Sequence, residues 1–132
     1  MSKSRGNTVM LRMDPDETLK KIKKAKTDSE RLITYDPEGR PEVANLLTLA
    51  SQATDGTPEE IAEEIGDRGA GTLKIYTAEA LNEHLAPLRA RRKELEQDPG
   101  YLFEVLRAGN EKANAEAEAT LAKVREFMGM VY

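Results

Sequence analysis

Apolar residues recur at helical spacing along most of this chain, and the breaks between stripes fall on proline, glycine and aspartate. Asp14-Pro15 reads as an N-cap with proline at the first helical position, and Glu17 stands three residues after the cap. Leu19, Ile22 and Ala25 or Lys26 then follow helical spacing, flanked by Lys20, Lys21, Lys23 and Lys24. Thr27 to Arg40 has no helical period, and Asp36-Pro37-Glu38-Gly39 is turn chemistry, so a connecting loop is expected. Pro41 opens a second helix with Val43, Leu46, Leu47, Ala50 and Ala53 on one face, and Asp55-Gly56 ends it. Thr57-Pro58-Glu59-Glu60 is a capping box that starts a short helix carrying Ile61 and Ile65 and stopping near Gly66. Asp67 to Gly71 reads as a flexible connection.

A long helical pattern follows from about Thr72 to Gln97, with Leu73, Tyr76, Ala80, Leu81, Leu85, Leu88 and Leu95. Pro87 lies inside it and is expected to kink it or split it in two. Asp98-Pro99 starts the last helix, whose stripe runs Leu102, Val105 or Leu106, Gly109, Ala113, Ala117, Leu121, Val124 and Met128. Small residues in its middle would let a neighbouring helix approach closely. Only Thr8-Val9-Met10-Leu11 could make a short extended segment. The pattern therefore predicts an all-α bundle of about five helices joined by loops of ordinary length, with no internal repeat.

Composition narrows this reading. A chain of 132 residues suffices for one domain with a modest core. With four tyrosines, two phenylalanines and no tryptophan, that core must be mostly aliphatic. The absence of cysteine excludes disulfides and thiolate metal sites and is compatible with a reducing cytosol. The single histidine, His84, gives no support to a His-rich metal site or a Ser-His-Asp triad, so no metal site is expected. No apolar run approaches the roughly 20 residues of a membrane span, and the protein is expected to be soluble and cytoplasmic. The net charge of −4 is unevenly spread. Residues 1–26 carry eight basic and three acidic side chains, whereas residues 27–132 carry 12 basic and 21 acidic. A basic end on an acidic body points to a local anionic partner rather than to general nucleic-acid affinity.

The candidate chemistry begins at residue 1. Met1-Ser2-Lys3-Ser4-Arg5-Gly6-Asn7 combines two cations, two hydroxyls and a glycine, a composition suited to a phosphate cradle and equally to a polar terminus. Lys20, Lys21, Lys23, Lys24 and Lys26 could meet RNA phosphates, or could be a solvated helix face. Arg89, Arg91, Arg92 and Lys93 form a second basic patch open to both readings. Tyr35, Tyr76 and Tyr101 are possible stacking platforms for unpaired bases, with buried packing the expected role for each. His84 is expected on a helix surface or interface.

The order of several short motifs carries a resemblance. Met1-Ser2-Lys3-Ser4 matches the last four letters of the Lys-Met-Ser-Lys-Ser signature of class I aminoacyl-tRNA synthetases. Asp14-Pro15-Asp16-Glu17-Thr18, Lys20-Lys21-Ile22-Lys23-Lys24-Ala25 and Thr27-Asp28-Ser29-Glu30 resemble bacterial tryptophanyl-tRNA synthetases. Ile33-Thr34-Tyr35-Asp36, Val43-Ala44-Asn45-Leu46-Leu47, Gly69-Ala70-Gly71 with Leu73-Lys74, Arg107-Ala108-Gly109-Asn110, Ala113-Asn114-Ala115 and Met128-Gly129-Met130 continue the likeness in order.

The resemblance implies the C-terminal part of such an enzyme. Residues 1–13 would be the signature loop and its connection, and residues 14–132 the helical, anticodon-binding domain. The catalytic Rossmann domain, with the His-Ile-Gly-His-type ATP motif, the tryptophan pocket and most of the dimer interface, is expected to be absent. The family activates tryptophan with ATP and Mg2+ and transfers it to tRNA(Trp), acting as a homodimer, with no role for DNA or membranes. By that resemblance Lys3 is the catalytic cation, and Ser2, Lys3 and Ser4 contact the ATP phosphates. Lys20, Lys21, Lys23, Lys24, Arg89, Arg91 and Arg92 are the RNA-binding candidates, and no cofactor is expected to bind this segment tightly. The chain departs from the family pattern where the signature's first lysine would precede Met1, at Arg5-Gly6 after the signature, and at Glu42, where relatives often have glycine. The departure at Glu42 is expected to alter only the start of its helix. A free-standing RNA- or protein-binding regulatory module is the alternative.

Overall fold

The computed structural model describes residues 6–130. These residues form five α-helices: α1 (Pro15–Lys23), α2 (Pro41–Ala53), α3 (Pro58–Ile65), α4 (Gly69–Glu96) and α5 (Pro99–Phe127), with a single 3-10 turn at Gly66–Arg68. No strand occurs among the described residues, and Thr8–Met10 is irregular rather than paired. The all-α expectation holds. The chain divides into two compact units, Met1–Ala90 and Arg91–Tyr132.

The first unit is built around α2. Val43, Leu46, Leu47 and Ala50 recur at helical spacing and are almost completely buried. Ile22 of α1, Ile33 of the loop, Ile61, Ala62 and Ile65 of α3, and Leu73 and Ala78 of α4 complete the same cluster. Each buried branched side chain of this size contributes about 1.5–3 kcal/mol by leaving water. Thr77 lies fully inside; its hydroxyl donates to the Leu73 carbonyl at 2.8 Å and approaches the Leu46 carbonyl of α2 at 3.5 Å.

The helix starts follow the chemistry of their caps. At α1 the Asp14 carboxylate accepts the Glu17 N–H at 2.7 Å, and the Glu17 carboxylate reaches back to the Asp14 N–H. At α3, Thr57 and Glu60 make the same reciprocal pair. Bonds from the Thr57 backbone and side chain hold the Glu60 carboxyl below its usual range. Asp98 caps α5 by accepting the Tyr101 N–H. By contrast, α2 starts without a side-chain cap, because Arg40 at its N-cap has only donors and cannot accept from the free N–H groups; its guanidinium is engaged elsewhere.

That engagement closes the loop between α1 and α2. The Arg40 guanidinium makes a fork onto Asp28, at 2.8 and 2.7 Å, and donates to the Leu32 carbonyl and the Thr34 hydroxyl. The Arg40 side chain is only 10% exposed, so these bonds are shielded on one side from water. The Ile33 N–H donates to the Gly66 carbonyl at 2.8 Å, and Ile33 is thereby seated in the core. Asp36 makes the turn before α2 by accepting the N–H groups of Glu38 and Gly39.

Several sequence expectations change. Asp67 to Gly71 is not a free connection: the 3-10 turn runs into α4, which starts at Gly69. Positive φ values of 56° at Gly66 and 82° at Gly69 make this tight junction possible, since glycine enters that region without a Cβ penalty. Nor does Pro87 split the long helix. α4 runs through it, and because Pro87 and Glu83 are both exposed, the carbonyl that loses its partner can be met by water. The stripe of α4 is partly right: Leu73, Ala80 and Leu85 are buried, Leu88 is exposed, and Thr77 and Ala78 are core residues the period did not select.

In the second unit α5 buries no residue, and Leu102, Val105, Leu106, Leu121, Val124 and Met128 of its expected stripe are all exposed. A Cβ at Gly109 would meet nothing within 4 Å, so the small residues there serve no close helix approach within that unit. Its surface is laced instead by local ion pairs, Arg91–Glu94 and Arg92–Glu96 on the last turns of α4.

A second polar clamp joins α1 to α4 inside the first unit. Arg89 donates to the Thr18 hydroxyl at 2.9 Å and to the Asn82 side-chain oxygen at 2.8 Å, while the Asn82 amide donates to the Pro15 carbonyl at 3.1 Å. Thr18 is fully buried and spends its own hydrogen on the Asp14 carbonyl. The Arg89 Nε is buried without a partner, which subtracts from the clamp's net contribution.

Two predictions follow from these clips. Arg40 pulls the Asp28 carboxyl from 3.8 down to about 2, chiefly through the hydrogen bond between them. A depressed folded-state pKa stabilises the fold above the unfolded value and loses that stability as pH falls through the folded one. Denaturation midpoints are therefore expected to fall between about pH 4 and pH 2, and Asp28→Asn is expected to start lower and flatten that segment. Replacing Arg89 by Met is expected to cost about 1–2 kcal/mol in chemical denaturation, because two bonds from a charged donor are lost. Arg91→Gln and Arg92→Gln, which break only exposed pairs, are expected to stay within about 0.5 kcal/mol of the parent.

Candidate functional site

The lysine cluster of α1 exists because the apolar face of this short helix is narrow. Ile22 and Thr18 turn inward and Leu19 packs partly against the core. Lys20, Lys23 and Lys24 are exposed, while Lys21 is half-buried. Lys20, Lys21 and Lys23 fall in the last helical turn and Lys24 at its C-cap, where cations complement the helix dipole.

A groove of about 740 Å³ opens beside that helix. Its floor is apolar, from Val9, Met13, Ile22, Ala25, Leu46 and Leu49. Its rim is charged, with Lys20, Lys21, Lys24 and Lys26 facing Glu17 and Glu42. Gly6 and Asn7, the last residues of the opening heptapeptide, also line it. The structure thus brings the end of the heptapeptide together with Lys20, Lys21 and Lys24 of the RNA candidates, and Lys23 is not among the lining residues.

The rim cations are not equivalent. Lys26 pairs with Glu42 at 2.9 Å, and the hydrogen bond between them raises the lysine's pKa and lowers the glutamate's. Glu42 therefore does more than start α2: it pairs with one lysine of the cluster. The Lys21 ammonium donates to the Gly6 carbonyl at 2.6 Å. The ammonium groups of Lys20 and Lys24 have no hydrogen bond or ion pair among the described residues, and they are the rim cations open to an external anion.

The other candidates are dispersed. Ser2, Lys3 and Ser4 lie outside the described residues. Arg89 is committed to Thr18 and Asn82, and Arg91 and Arg92 belong to the second unit. Tyr35 and Tyr76 are half-buried against the core, as expected. Desolvation, with Glu64 nearby, raises the Tyr76 phenol. Tyr101, expected to be buried, is 45% exposed. His84 is exposed on α4. No group of three or more potential metal-ligating side chains occurs among the described residues. None of their helices is long and apolar enough to cross a membrane.

The structural roles of Arg89 and Glu42 escaped sequence reasoning. Arg89 meets Thr18 across 71 residues, a separation at which no local pattern signals contact. Glu42 and Lys26 carried only a charge-complementarity hint across the intervening loop.

Comparison with known proteins gives this geometry its context. The family model for class I tRNA synthetases (W and Y) matches residues 1–86. A tryptophan–tRNA ligase of Streptomyces coelicolor is 46% identical over 123 residues, covering 93% of this chain and 36% of that protein. The Synechocystis enzyme of the same name is 39% identical over 90% of the chain, and that of Wolinella succinogenes 40% identical over 99%. These alignments cover 36% and 40% of the two relatives. Matched in order from the heptapeptide through the helical core, and spanning somewhat over a third of its relatives' length, the chain belongs to the class I tRNA synthetase family of tryptophan and tyrosine enzymes.

Proposed function

We propose that this chain serves ATP-dependent ligation of tryptophan to tRNA(Trp) in the cytoplasm, supplying the signature loop and an RNA-binding helical body. The observation that carries this reading is the meeting of Gly6 and Asn7 with the lysine rim of α1 in one groove, within the stretch that matches the family. A regulatory module acting apart from ligation is not favoured, because the relatives are themselves ligases.

Adenylate formation joins the amino-acid carboxylate to the α-phosphorus of ATP and expels pyrophosphate. Negative charge grows on the leaving phosphates, and Mg2+ bound with ATP supplies part of the compensation. Lys3 supplies a further ammonium at those oxygens, where a contact made chiefly in the transition state lowers the barrier. Ser2 and Ser4 donate hydroxyl bonds to the same phosphates. The reaction also requires a catalytic domain and an amino-acid pocket, which the relatives' additional length can hold. The homodimeric state belongs to that larger assembly.

Lys20 and Lys24 are the side chains proposed to meet tRNA phosphates. Binding of tRNA(Trp) to the 132-residue polypeptide is expected to weaken as salt rises, and the double variant Lys20→Gln/Lys24→Gln to reduce the log–log salt slope by about 1.5. A slope unchanged in filter-binding or anisotropy titrations would count against that contact. The isolated polypeptide is expected to give no tryptophan-dependent ATP–pyrophosphate exchange. Joined to a relative's catalytic domain, it is expected to support exchange, with Lys3→Gln lowering kcat about 10²–10³-fold, as loss of an oxyanion donor does.

A further inference from the structure

We propose that Lys21 is a positioning residue: its ammonium latches the Gly6 carbonyl and so fixes the point at which the signature loop leaves the helical body. The proposal rests on the reading of residues 1–4 as a phosphate-contacting loop for its consequence, but not for its geometry.

Three lysines lie on α1 and a fourth, Lys24, stands at its C-cap; Lys21 is set apart from the other three. It is half-buried, whereas Lys20, Lys23 and Lys24 are exposed. Its ammonium lies 2.6 Å from a carbonyl 15 residues earlier in the chain, a short charge-assisted bond. Its neighbour Ile22 is 3% exposed, so the helix that carries it is seated in the core. The latch therefore has a fixed base.

The receiving side is shaped for it. Gly6 has φ +63°, the left-handed region that glycine enters without a Cβ penalty. A Cβ at Gly6 would meet nothing within 4 Å. The requirement for glycine is thus one of backbone direction rather than space. That direction presents the carbonyl to α1. Downstream, Val9 packs against the core, and the Met13 N–H donates to the Met10 carbonyl at 2.9 Å. The connection from Gly6 to the Asp14 cap is held at its far end by Lys21 and along its length by these contacts. A group that must reach phosphate oxygens loses much of its effect when displaced by about 1 Å, so an anchored root matters to whatever residues 1–5 contact.

The test uses the 132-residue chain and its Lys21→Met, Lys21→Arg and Lys20→Met variants, with circular dichroism to check the fold. In the parent, backbone 15N–1H heteronuclear NOE values at Gly6 and Asn7 are expected to be near those of α1. Lys21→Met is expected to lower them, to shift the Asn7 amide nitrogen, and to speed tryptic cleavage after Arg5 about two- to fivefold. Lys21→Arg, which keeps a cationic donor, is expected to restore much of each readout, and Lys20→Met to leave all three near the parent values. Unchanged NOE values and cleavage in folded Lys21→Met would overturn the latch, as would an equal effect of Lys20→Met, which would make it a matter of net charge. Titration with pyrophosphate, read at Ser2, Lys3 and Ser4, reports separately on the phosphate role of the loop. Its outcome leaves the latch standing, and the phosphate role itself is decided by Lys3→Gln in the chain joined to a relative's catalytic domain.

Discussion

Burial of α2 is the constraint on which the first unit depends. Val43, Leu46, Leu47 and Ala50 leave almost no surface to water, and members of α1, the following loop, α3 and α4 close around them in one cluster. Because α2 starts without a side-chain cap, its position owes more to this packing than to local helix chemistry. Arg40 at its N-terminus then does a second job, holding Asp28, the Leu32 carbonyl and Thr34 so that Ile33 reaches the core from a segment with no regular structure. A loop of this length is ordered because its polar groups have partners and its one fully buried side chain has a place.

The elements read most faithfully from sequence are those whose signals are local. Capping boxes at Asp14 and Thr57 and proline at the first position of four helices depend on residues within one turn, and each is present as expected. The aliphatic period of α2 and α3 is equally local and maps onto the core. Readings that required knowing the partner fared differently. The stripe of α5 reports that a face is apolar, not what covers it, and among the described residues that face is exposed. Thr18 and Thr77 look polar in a periodicity count, but each can bury its hydroxyl because a carbonyl four residues back accepts its hydrogen.

The candidate site shows the same division. The lysines of α1 are visible as a run, and their helical spacing places them around one narrow apolar face. What the run does not encode is their individual commitments. Lys26 is bound to Glu42, Lys21 to a backbone carbonyl, and Arg89, grouped by sequence with Arg91 and Arg92, works between α1 and α4. These assignments depend on contacts across 15 to 71 residues, which only the folded backbone creates.

Those commitments change what a basic patch can do. A lysine whose ammonium already meets a carboxylate contributes little extra field to a passing phosphate, because the pair is close to neutral at distances beyond its own length. Of the groove lysines, Lys20 and Lys24 keep a full charge available on the rim, while Lys21 spends part of its donor capacity on Gly6. An ammonium has three donors, so Lys21 can hold the carbonyl and still turn a hydrogen toward an anion in the groove. The loop root and the anion-accessible rim would then share one side chain. In that arrangement a phosphate arriving at the groove competes with, or reinforces, the bond that positions residue 6. Which of these occurs depends on whether the anion lies on the far side of the ammonium from the carbonyl, where its field adds to the hold, or displaces the carbonyl altogether. Lys21 and Gly6 both line the groove while bonded to each other, so an anion arriving there meets the pair as it stands.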